Sequence, residues 1–387
     1  MRKLGPIKSL GIIIILPCLC FLLDGCALGP GGYPESILGT PEHHVYNGFR
    51  LIKRGRLDDA QREFEQALRL KPEYSPAHRG IGLVYGISGN FEAAFESMNL
   101  AKRYAEARKQ EALAHVGMMR LHAMKRDADW LSLVEKYFDL ATLTVKDLPE
   151  AYYYMGIAYN DSYRLADSKE AFKKVVVING SFTKEAEEQL ELVRKIEQAK
   201  PRSEVARRVA FLARITRADA AALLIHELRV DRMYEEERLR GYESSEPSGK
   251  KGPVKKGHFV PLDVVDHPMK AEIEKVLQLN IEGLRTYWDG SFGPNEYVTR
   301  AAFAMIMADI VIAIERDPNL PAKYAGVTSP YEDVPNEASY FYAVMICKVR
   351  SGIMEGKNRF FDPMGTLSGA EALLVIRRFK DEHNISY

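Results

Sequence analysis

Small and large apolar residues recur at a fixed spacing in the first half of the chain. The matched positions are Gly48, Ala60 and Phe64 in one unit and Gly82, Ala94 and Met98 in a second unit 34 residues later. A small residue lets one helix approach its partner closely, and a large one fills the remaining space. The pattern therefore predicts antiparallel pairs of helices.

Further units follow these two. A similar unit begins near Gly156, 74 residues after Gly82, so a longer and degenerate unit of about residues 109–147 lies between them. Residues 183–196 carry apolar positions on one face and charge elsewhere, as expected for the polar helix that ends such an array. We therefore expect helical repeats with a capping helix over residues 41–199.

This period and the small/large alternation resemble the tetratricopeptide repeat, a pair of antiparallel helices. The resemblance implies that the array binds a peptide or protein on its concave face. The residues expected there come from the first helix of each repeat and are Phe49, Lys53, Arg79, Tyr153 and Asn160. Alternatives stay open for these positions, with Phe49 and Tyr153 in the core between repeats and Lys53 and Arg79 on solvated surface.

The second half of the chain contains a different repeat. Its matched positions are Gly283, Phe292, Pro294 and Thr299, and then Gly352, Phe361, Pro363 and Ser368, each 69 residues later. An apolar helix is predicted after each Thr or Ser. A partial third copy stands earlier, over residues 214–219, and the polar stretch 240–258 accounts for the larger distance between Thr216 and Thr299.

These motifs resemble the S-layer homology domain, which would occupy residues 200–387 with an incomplete first unit. The resemblance implies a mainly α-helical domain of three units about a pseudo-threefold axis. It also implies that grooves between the units bind cell-wall polysaccharide or peptidoglycan-linked glycan. The fold expected for the whole chain is mainly α, a helical-hairpin array followed by this helical domain.

The residues expected to bind glycan are Arg217, Arg300, Asp263, Asp333 and Trp288. Arg217 and Arg300 follow the predicted helix caps, where an arginine beside unpaired backbone N–H groups favours a carboxylate or phosphate. The alternative is a surface arginine or one paired within the chain. Asp263 and Asp333 are expected to bind sugar hydroxyls or to cap the following helix. Trp288 is expected to stack on a sugar ring or to pack beside the helices.

Three further features of these helix starts affect helix capping and anion binding. Thr216 with Asp219, and Ser368 with Glu371, have the spacing of a capping box. Ala302 replaces the acid in the middle unit and predicts a weaker cap. Gly369 stands where the third unit would have its arginine, which predicts less anion binding there.

The first residues have the pattern of an export signal. Basic residues precede an apolar stretch, and Leu23-Asp24-Gly25-Cys26 resembles the lipobox of bacterial lipoproteins. The resemblance implies a signal peptide over residues 1–25, lipid on Cys26 and a flexible tether over residues 26–40. An uncleaved anchor or an ordinary signal peptide is the alternative. Ala27 lacks the acidic signal for retention at the inner membrane, which favours the periplasmic side of the outer membrane.

Composition excludes several classes of function. The chain has 387 residues with a net charge of +1, which argues against a nucleic-acid-binding protein. The sequence contains neither a phosphate-binding glycine loop nor a metalloprotease or nucleophile-elbow motif, so we expect no catalysis, cofactor or metal site.

The sequence thus predicts a noncatalytic lipoprotein of the bacterial cell envelope that binds a protein partner and wall glycan. A scaffold for assembly without glycan binding, or an accessory lipoprotein of a secretion or polysaccharide-export machine, remains an alternative.

Overall fold

The computed structural model describes residues 39–235, 260–350 and 352–385. These residues are mostly helical, and within them extended backbone is limited to isolated bridges. Cys26, the predicted signal peptide, nearly all of the predicted tether and the polar stretch 240–258 lie outside the described residues.

Eight helices form four consecutive antiparallel hairpins, and a ninth follows them. They are α1 Pro41–Lys53, α2 Leu57–Leu70, α3 Ser75–Ile87, α4 Phe91–Arg103, α5 Arg108–Lys125, α6 Trp130–Thr144, α7 Pro149–Asp161, α8 Leu165–Ile178 and α9 Thr183–Ala199. Each odd-numbered helix from α1 to α7 packs on the next helix of the chain. The predicted helical-hairpin array is confirmed, and the degenerate unit forms a hairpin of two longer helices.

Glycine and phenylalanine fit together as the repeat pattern predicts. Phe64 of α2 is fully buried between α1 and α3. A Cβ atom added to Gly48 would lie 2.5 Å from Phe64 Cε1, and one added to Gly80 would lie closer still. Phe172 fills the same position against Gly156 in the fourth hairpin, where the corresponding distance is 2.7 Å. The absent side chains therefore create the space in which each ring packs.

The second half of the chain forms three units of helices. The first contains α10 Glu204–Val209 and α11 Arg217–Leu223, which continues as a π-helix over Leu224–Leu228. The second contains a 3₁₀-helix Leu262–Val264, α12 Lys270–Leu279 and α13 Arg300–Glu315. The third contains a 3₁₀-helix Leu320–Tyr324, α14 Phe341–Met345 with a π-helix Ile346–Arg350, and α15 Gly369–Glu382.

Backbone hydrogen bonds join the three units in a closed ring. Ile215 N donates to Leu367 O at 2.9 Å, Val298 N donates to Ile215 O at 2.9 Å, and Leu367 N donates to Val298 O at 3.1 Å. Each of these residues immediately precedes the residue that caps the last helix of its unit. The cyclic pattern agrees with the pseudo-threefold arrangement that the resemblance to the S-layer homology domain implies.

The helix caps agree with the sequence. Thr216 with Asp219 and Ser368 with Glu371 form complete capping boxes. Thr299 accepts from Ala302 N at 3.1 Å, and its cap has no carboxylate. The hydroxyls fix where α11, α13 and α15 begin, and these starts lie around the ring.

Helix α9 differs from the polar capping helix that the sequence predicts. It packs against α15, and its residues Ile196 and Ala199 belong to the same hydrophobic core as the three units. Since both sides of α9 carry buried residues, the helix joins the array to the second half of the chain.

Candidate functional site

Arg217 joins the first unit to the second. Its guanidinium donates to three backbone oxygens. These are Phe292 O at 2.7 Å from Nε, Gly283 O at 2.8 Å from Nη1 and Arg285 O at 2.8 Å from Nη2. Arg217 is 7% exposed, and burial lowers its pKa. The geometry favours the intramolecular alternative for this residue, with carbonyl groups as its partners.

The backbone donors at the start of these helices are already satisfied. Arg217 N donates to Glu296 O at 2.8 Å, and Ala218 N donates to Pro294 O at 3.1 Å. Helix α13 repeats the pattern, with Arg300 N bound to Gly365 O and Ala301 N to Pro363 O, both at 2.9 Å. The expectation of unpaired N–H groups beside these arginines was wrong, because a loop of the next unit supplies the acceptors.

Arg300 makes the same kind of contact with the third unit, but its guanidinium retains more hydrogen-bonding capacity than that of Arg217. Its Nε donates to Phe361 O at 2.7 Å, and its Nη2 donates to Glu355 O at 2.8 Å. Within the described residues its Nη1 makes no hydrogen bond, and the side chain is only partly buried. Arg300 can therefore still donate to a ligand.

An open cleft of about 340 Å³ lies beside Arg300, and we call it the Arg300 cleft. It is lined by Lys195, Arg300, Ile353, Met354, Glu355, Lys357, Leu367, Glu371, Leu374, Val375 and Arg378. Four of these residues are cationic and two are acidic. The cleft therefore favours an anionic group, and its walls come from the second unit, the third unit and α9.

Gly356 accounts for a difference between the surroundings of Arg300 and those of Arg217. Tyr287, 69 residues earlier, has its ring centre 4.8 Å from the guanidinium carbon of Arg217 and covers it. At Gly356 a Cβ atom would overlap both Phe360 O and the Tyr331 ring. The third unit has no side chain at this position, so Arg300 stays open to solvent.

Asp263 and Asp333 hold the Phe-x-Pro turns of their own units. Asp263 accepts from Phe292 N at 3.1 and 3.0 Å and from Gly293 N at 2.7 Å. Asp333 accepts from Phe361 N at 2.8 Å and Asp362 N at 2.7 Å. The expectation that these residues cap the following helix was wrong, because the carboxylates accept hydrogen bonds from the Phe-x-Pro turns further along the chain. Their contact with sugar hydroxyls stays a prediction.

Trp288 projects from a turn of the second unit. Tyr287 N donates to Ser291 O at 2.8 Å to close this turn, and Trp288 is 99% exposed. The alternative in which Trp288 packs beside the helices was therefore wrong. An exposed indole ring offers an apolar face on which a sugar can stack.

Aromatic and cationic side chains alternate along one face of the array. Arg79 of α3 lies over Phe49 of α1 at 4.5 Å, and Arg120 of α5 lies over Tyr154 of α7 at 4.5 Å. Burial, followed by the charge of Arg120, lowers the pKa of Arg79 to about 10. Neither arginine forms an ion pair within the described part of the chain. The carboxylate nearest in effect is Glu150, whose charge acts on Arg79 against this lowering without forming an ion pair.

The ends of this face approach each other. Lys53 of α1 has its Nζ 4.0 Å from Glu185 Oε1 and 5.8 Å from the ring centre of Phe182. Tyr153 stacks on Phe182 with their ring centres 4.5 Å apart. Four of the predicted partner residues, Phe49, Lys53, Arg79 and Tyr153, therefore lie among these contacts. Their contact with a partner stays a prediction.

Asn160 is not on this face. It is 4% exposed, its Nδ2 donates to Gln189 Oε1 at 3.1 Å, and its Oδ1 accepts from Ser168 Oγ at 2.6 Å. The expectation that Asn160 contacts a partner was wrong, because its amide hydrogen bonds with α8 and α9.

Sequence reasoning missed several residues of these sites. The missed residues are Lys195, Lys357, Arg378, Gly356, Arg120 and Tyr154. Aligning the two 69-residue copies would have revealed Gly356 opposite Tyr287. Lys195 had no such signal, since it reaches the cleft from a different part of the chain.

Comparisons with known proteins identify one part of the chain. Residues 263–304 match the family described as "S-layer homology domain". This match covers the second unit up to the start of α13, and it indicates association with the cell envelope and its glycan. No curated protein matches the chain.

A solved structure titled "Functional Characterization of Pseudomonas Aeruginosa pilF" is similar at 10% identity with a TM-score of 0.21. The similar region covers 41% of this chain and 90% of the other.

Two features are absent from the described residues. None of the described helices has both the length and the apolar character needed to span a bilayer. No cluster of His, Cys, Asp or Glu within residues 39–235, 260–350 and 352–385 could hold a metal ion.

Proposed function

We propose that this protein is a noncatalytic lipoprotein of the cell envelope that binds wall glycan through the Arg300 cleft and a protein partner through its helical array. One observation carries the glycan half of the proposal. Arg300 has an unused Nη1 group in an open cleft where cationic side chains outnumber acidic ones. The S-layer homology match over residues 263–304 supports the same assignment.

The chemistry of the cleft favours a glycan with acidic substituents. A carboxylate or phosphate accepts strong hydrogen bonds from guanidinium and ammonium groups, and these bonds strengthen where water is partly excluded. Trp288 supplies a second kind of contact, because its exposed ring can stack on a sugar face. Arg217 has a positioning role, since it holds the turn from which Trp288 projects.

The array supplies the protein-binding half of the proposal. Arg79 and Arg120 lie on aromatic rings along the face formed by α1, α3, α5 and α7, and neither forms an ion pair with another described residue. Stacked arginines and aromatic rings are enriched at protein interfaces. A partner segment with acidic residues would complement these charges.

Lipid on Cys26 would keep both binding parts at a membrane. The support comes from the basic start, the apolar stretch and the Leu23–Cys26 motif. We place the anchor in the outer membrane, facing the periplasm, because Ala27 is not acidic. Metabolic labelling with a radioactive fatty acid tests the anchor, and fractionation of the membranes tests its placement. Label should enter the wild-type protein and be absent from Cys26→Ser, and label in Cys26→Ser would contradict the anchor.

Sedimentation with purified wall sacculi tests the glycan half. Protein that begins at Ala27 should pellet with sacculi, and Arg300→Ala should lose most of this binding. Arg377→Ala is the matched control, because it removes a guanidinium from the same unit that does not line the cleft and that pairs with Asp381 at 2.8 Å. Thermal unfolding of both variants separates loss of binding from loss of fold. Undiminished binding by Arg300→Ala would exclude the Arg300 cleft, and wild-type protein that stays in the supernatant would exclude glycan binding.

A scaffold without glycan binding is the second candidate, and a specific observation favours it. Two of the three junctions between units are closed, one by Tyr287 over Arg217 and the other at Gly369. A Cβ atom on Gly369 would overlap Val209 O, so no arginine side chain fits there. This candidate is correct if sacculi bind neither the wild-type protein nor Trp288→Ala and the wild-type protein still binds a protein partner.

A further inference from the structure

Helix α9 of the array forms one wall of the Arg300 cleft. It packs along α15 of the third unit, and Lys195 of α9 lines the cleft. The Nζ atom of Lys195 lies 3.8 Å from Glu371 Oε1, and about a third of its side chain is exposed. The ammonium group is therefore held beside the cleft while it remains accessible to solvent.

The acidic residues of the cleft already have partners. Glu371 Oε2 accepts from Ser368 N at 3.1 Å and Ser368 Oγ at 2.8 Å as part of the capping box. Glu355 Oε1 lies 3.3 Å from Lys348 Nζ, outside the set of residues that line the cleft. Lys195 Nζ lies near Oε1, the oxygen of Glu371 that takes no part in the capping box. At 3.8 Å this contact neutralises the charge of Lys195 incompletely.

Two further cations of the cleft, Arg378 and Lys357, add to the excess of positive charge there. Arg378 Nη1 donates to Ile353 O over a long 3.4 Å. Lys357 is exposed and forms no ion pair within the described residues. Arg194 lowers the pKa of Glu191 on α9 the most, burial opposes this, and the charges of Lys195 and Lys357 lower it further. Glu191 itself pairs with Arg194 at 2.9 Å. An anion in the cleft would therefore meet several cations that retain hydrogen-bonding capacity.

We propose that Lys195 is a specificity-determining residue of the Arg300 cleft, so that the cleft prefers polysaccharides with carboxylate or phosphate groups over neutral ones. This inference rests on the glycan half of the proposed function and adds the contribution of the helical array. A cation from α9 and one from α13 then act on the same bound anion. The site is complete only while α9 is packed on α15.

Titration calorimetry with three probes tests the inference. The probes are an oligogalacturonate, which carries carboxylates, a poly(glycerol phosphate), and neutral chitohexaose. Lys195→Gln removes the charge at nearly constant length, and Lys184→Gln is the matched control on an exposed part of the same helix. The affinities of the wild-type protein for the two acidic probes show which anion the cleft prefers.

Lys195→Gln should weaken binding of the preferred acidic probe by about three- to tenfold, as expected for the loss of one charge-assisted contact. It should leave the affinity for chitohexaose unchanged, and Lys184→Gln should match the wild type for all probes. Equal affinity of Lys195→Gln and wild type for the acidic probes would overturn the role of Lys195. If Arg300→Ala still abolishes binding in that case, the proposed function stands. If the wild type binds no probe but pellets with sacculi, the proposed preference of the cleft fails and the proposed function stands. If it neither binds a probe nor pellets, both proposals fail.

Discussion

The guanidinium carbon of Arg217 lies 4.8 Å from the centre of the Tyr287 ring, and the same side chain donates to three carbonyl oxygens beneath it. One junction between units is thereby closed. At the next junction Gly356 replaces the tyrosine, and Arg300 opens into a cleft. A single aromatic side chain thus distinguishes a structural contact from a candidate binding site.

Arg217→Lys should lower the free energy of unfolding by about 2–4 kcal/mol. A lysine has one ammonium group and cannot reach three carbonyl oxygens in the fork geometry of a guanidinium, so buried acceptors lose their donors. Urea denaturation measures the change. Arg285→Lys is the control, since the Arg285 side chain is exposed and pairs with Glu282 at 2.8 Å. Equal stability of the two variants would contradict the structural role of Arg217.

Trp288→Ala should leave the free energy of unfolding within about 0.5 kcal/mol of the wild type, because a fully exposed side chain contributes little packing. The same change should weaken sedimentation with wall sacculi, because the stacking surface is lost. Urea denaturation and sedimentation on one preparation give both readouts. A large loss of stability would show that Trp288 packs against the protein, and unchanged sedimentation would remove it from the glycan site.

Gly48→Ala should destabilise the array by about 1–3 kcal/mol, because the added methyl would lie 2.5 Å from the Phe64 ring. Phe64→Leu in the same protein should recover part of this loss by making room for the methyl. A double-mutant cycle measured by urea denaturation gives the coupling between the two positions. Strictly additive changes in the free energy of unfolding would mean that Gly48 and Phe64 are not energetically coupled.

Stability should decrease as the pH falls below about 6.5, because burial lowers the pKa of His115 and His122 below their ordinary value of 6.5. In the interval between the folded and unfolded pKa values the unfolded chain binds more protons, so acid favours unfolding. Urea denaturation at pH 7.5 and 5.5 measures the difference. A His115→Asn, His122→Phe double variant should show a smaller difference, and an unchanged one would assign the effect to other groups.

Much of the fold could be predicted from spacing in the sequence. The 34-residue spacing of small and large residues predicted the hairpins, because the residues that pack together, such as Gly48 and Phe64, belong to adjacent helices. Thr216 with Asp219 predicted a helix start, because a capping box is formed by residues three apart. Asn160 was assigned wrongly, since its position relative to Gln189 depends on how α9 packs after the last hairpin.

The sequence by itself determined the two repeats, the helix starts and the order of the helices, because these depend on interactions between residues near one another in the chain. Only the tertiary structure decided the rest. Arg217 is buried and Trp288 exposed because of how the loops of neighbouring units meet. Lys195 reaches the Arg300 cleft because α9 packs on α15, far along the chain. Such contacts form only when the complete hydrophobic core brings distant segments together, so local spacing cannot reveal them.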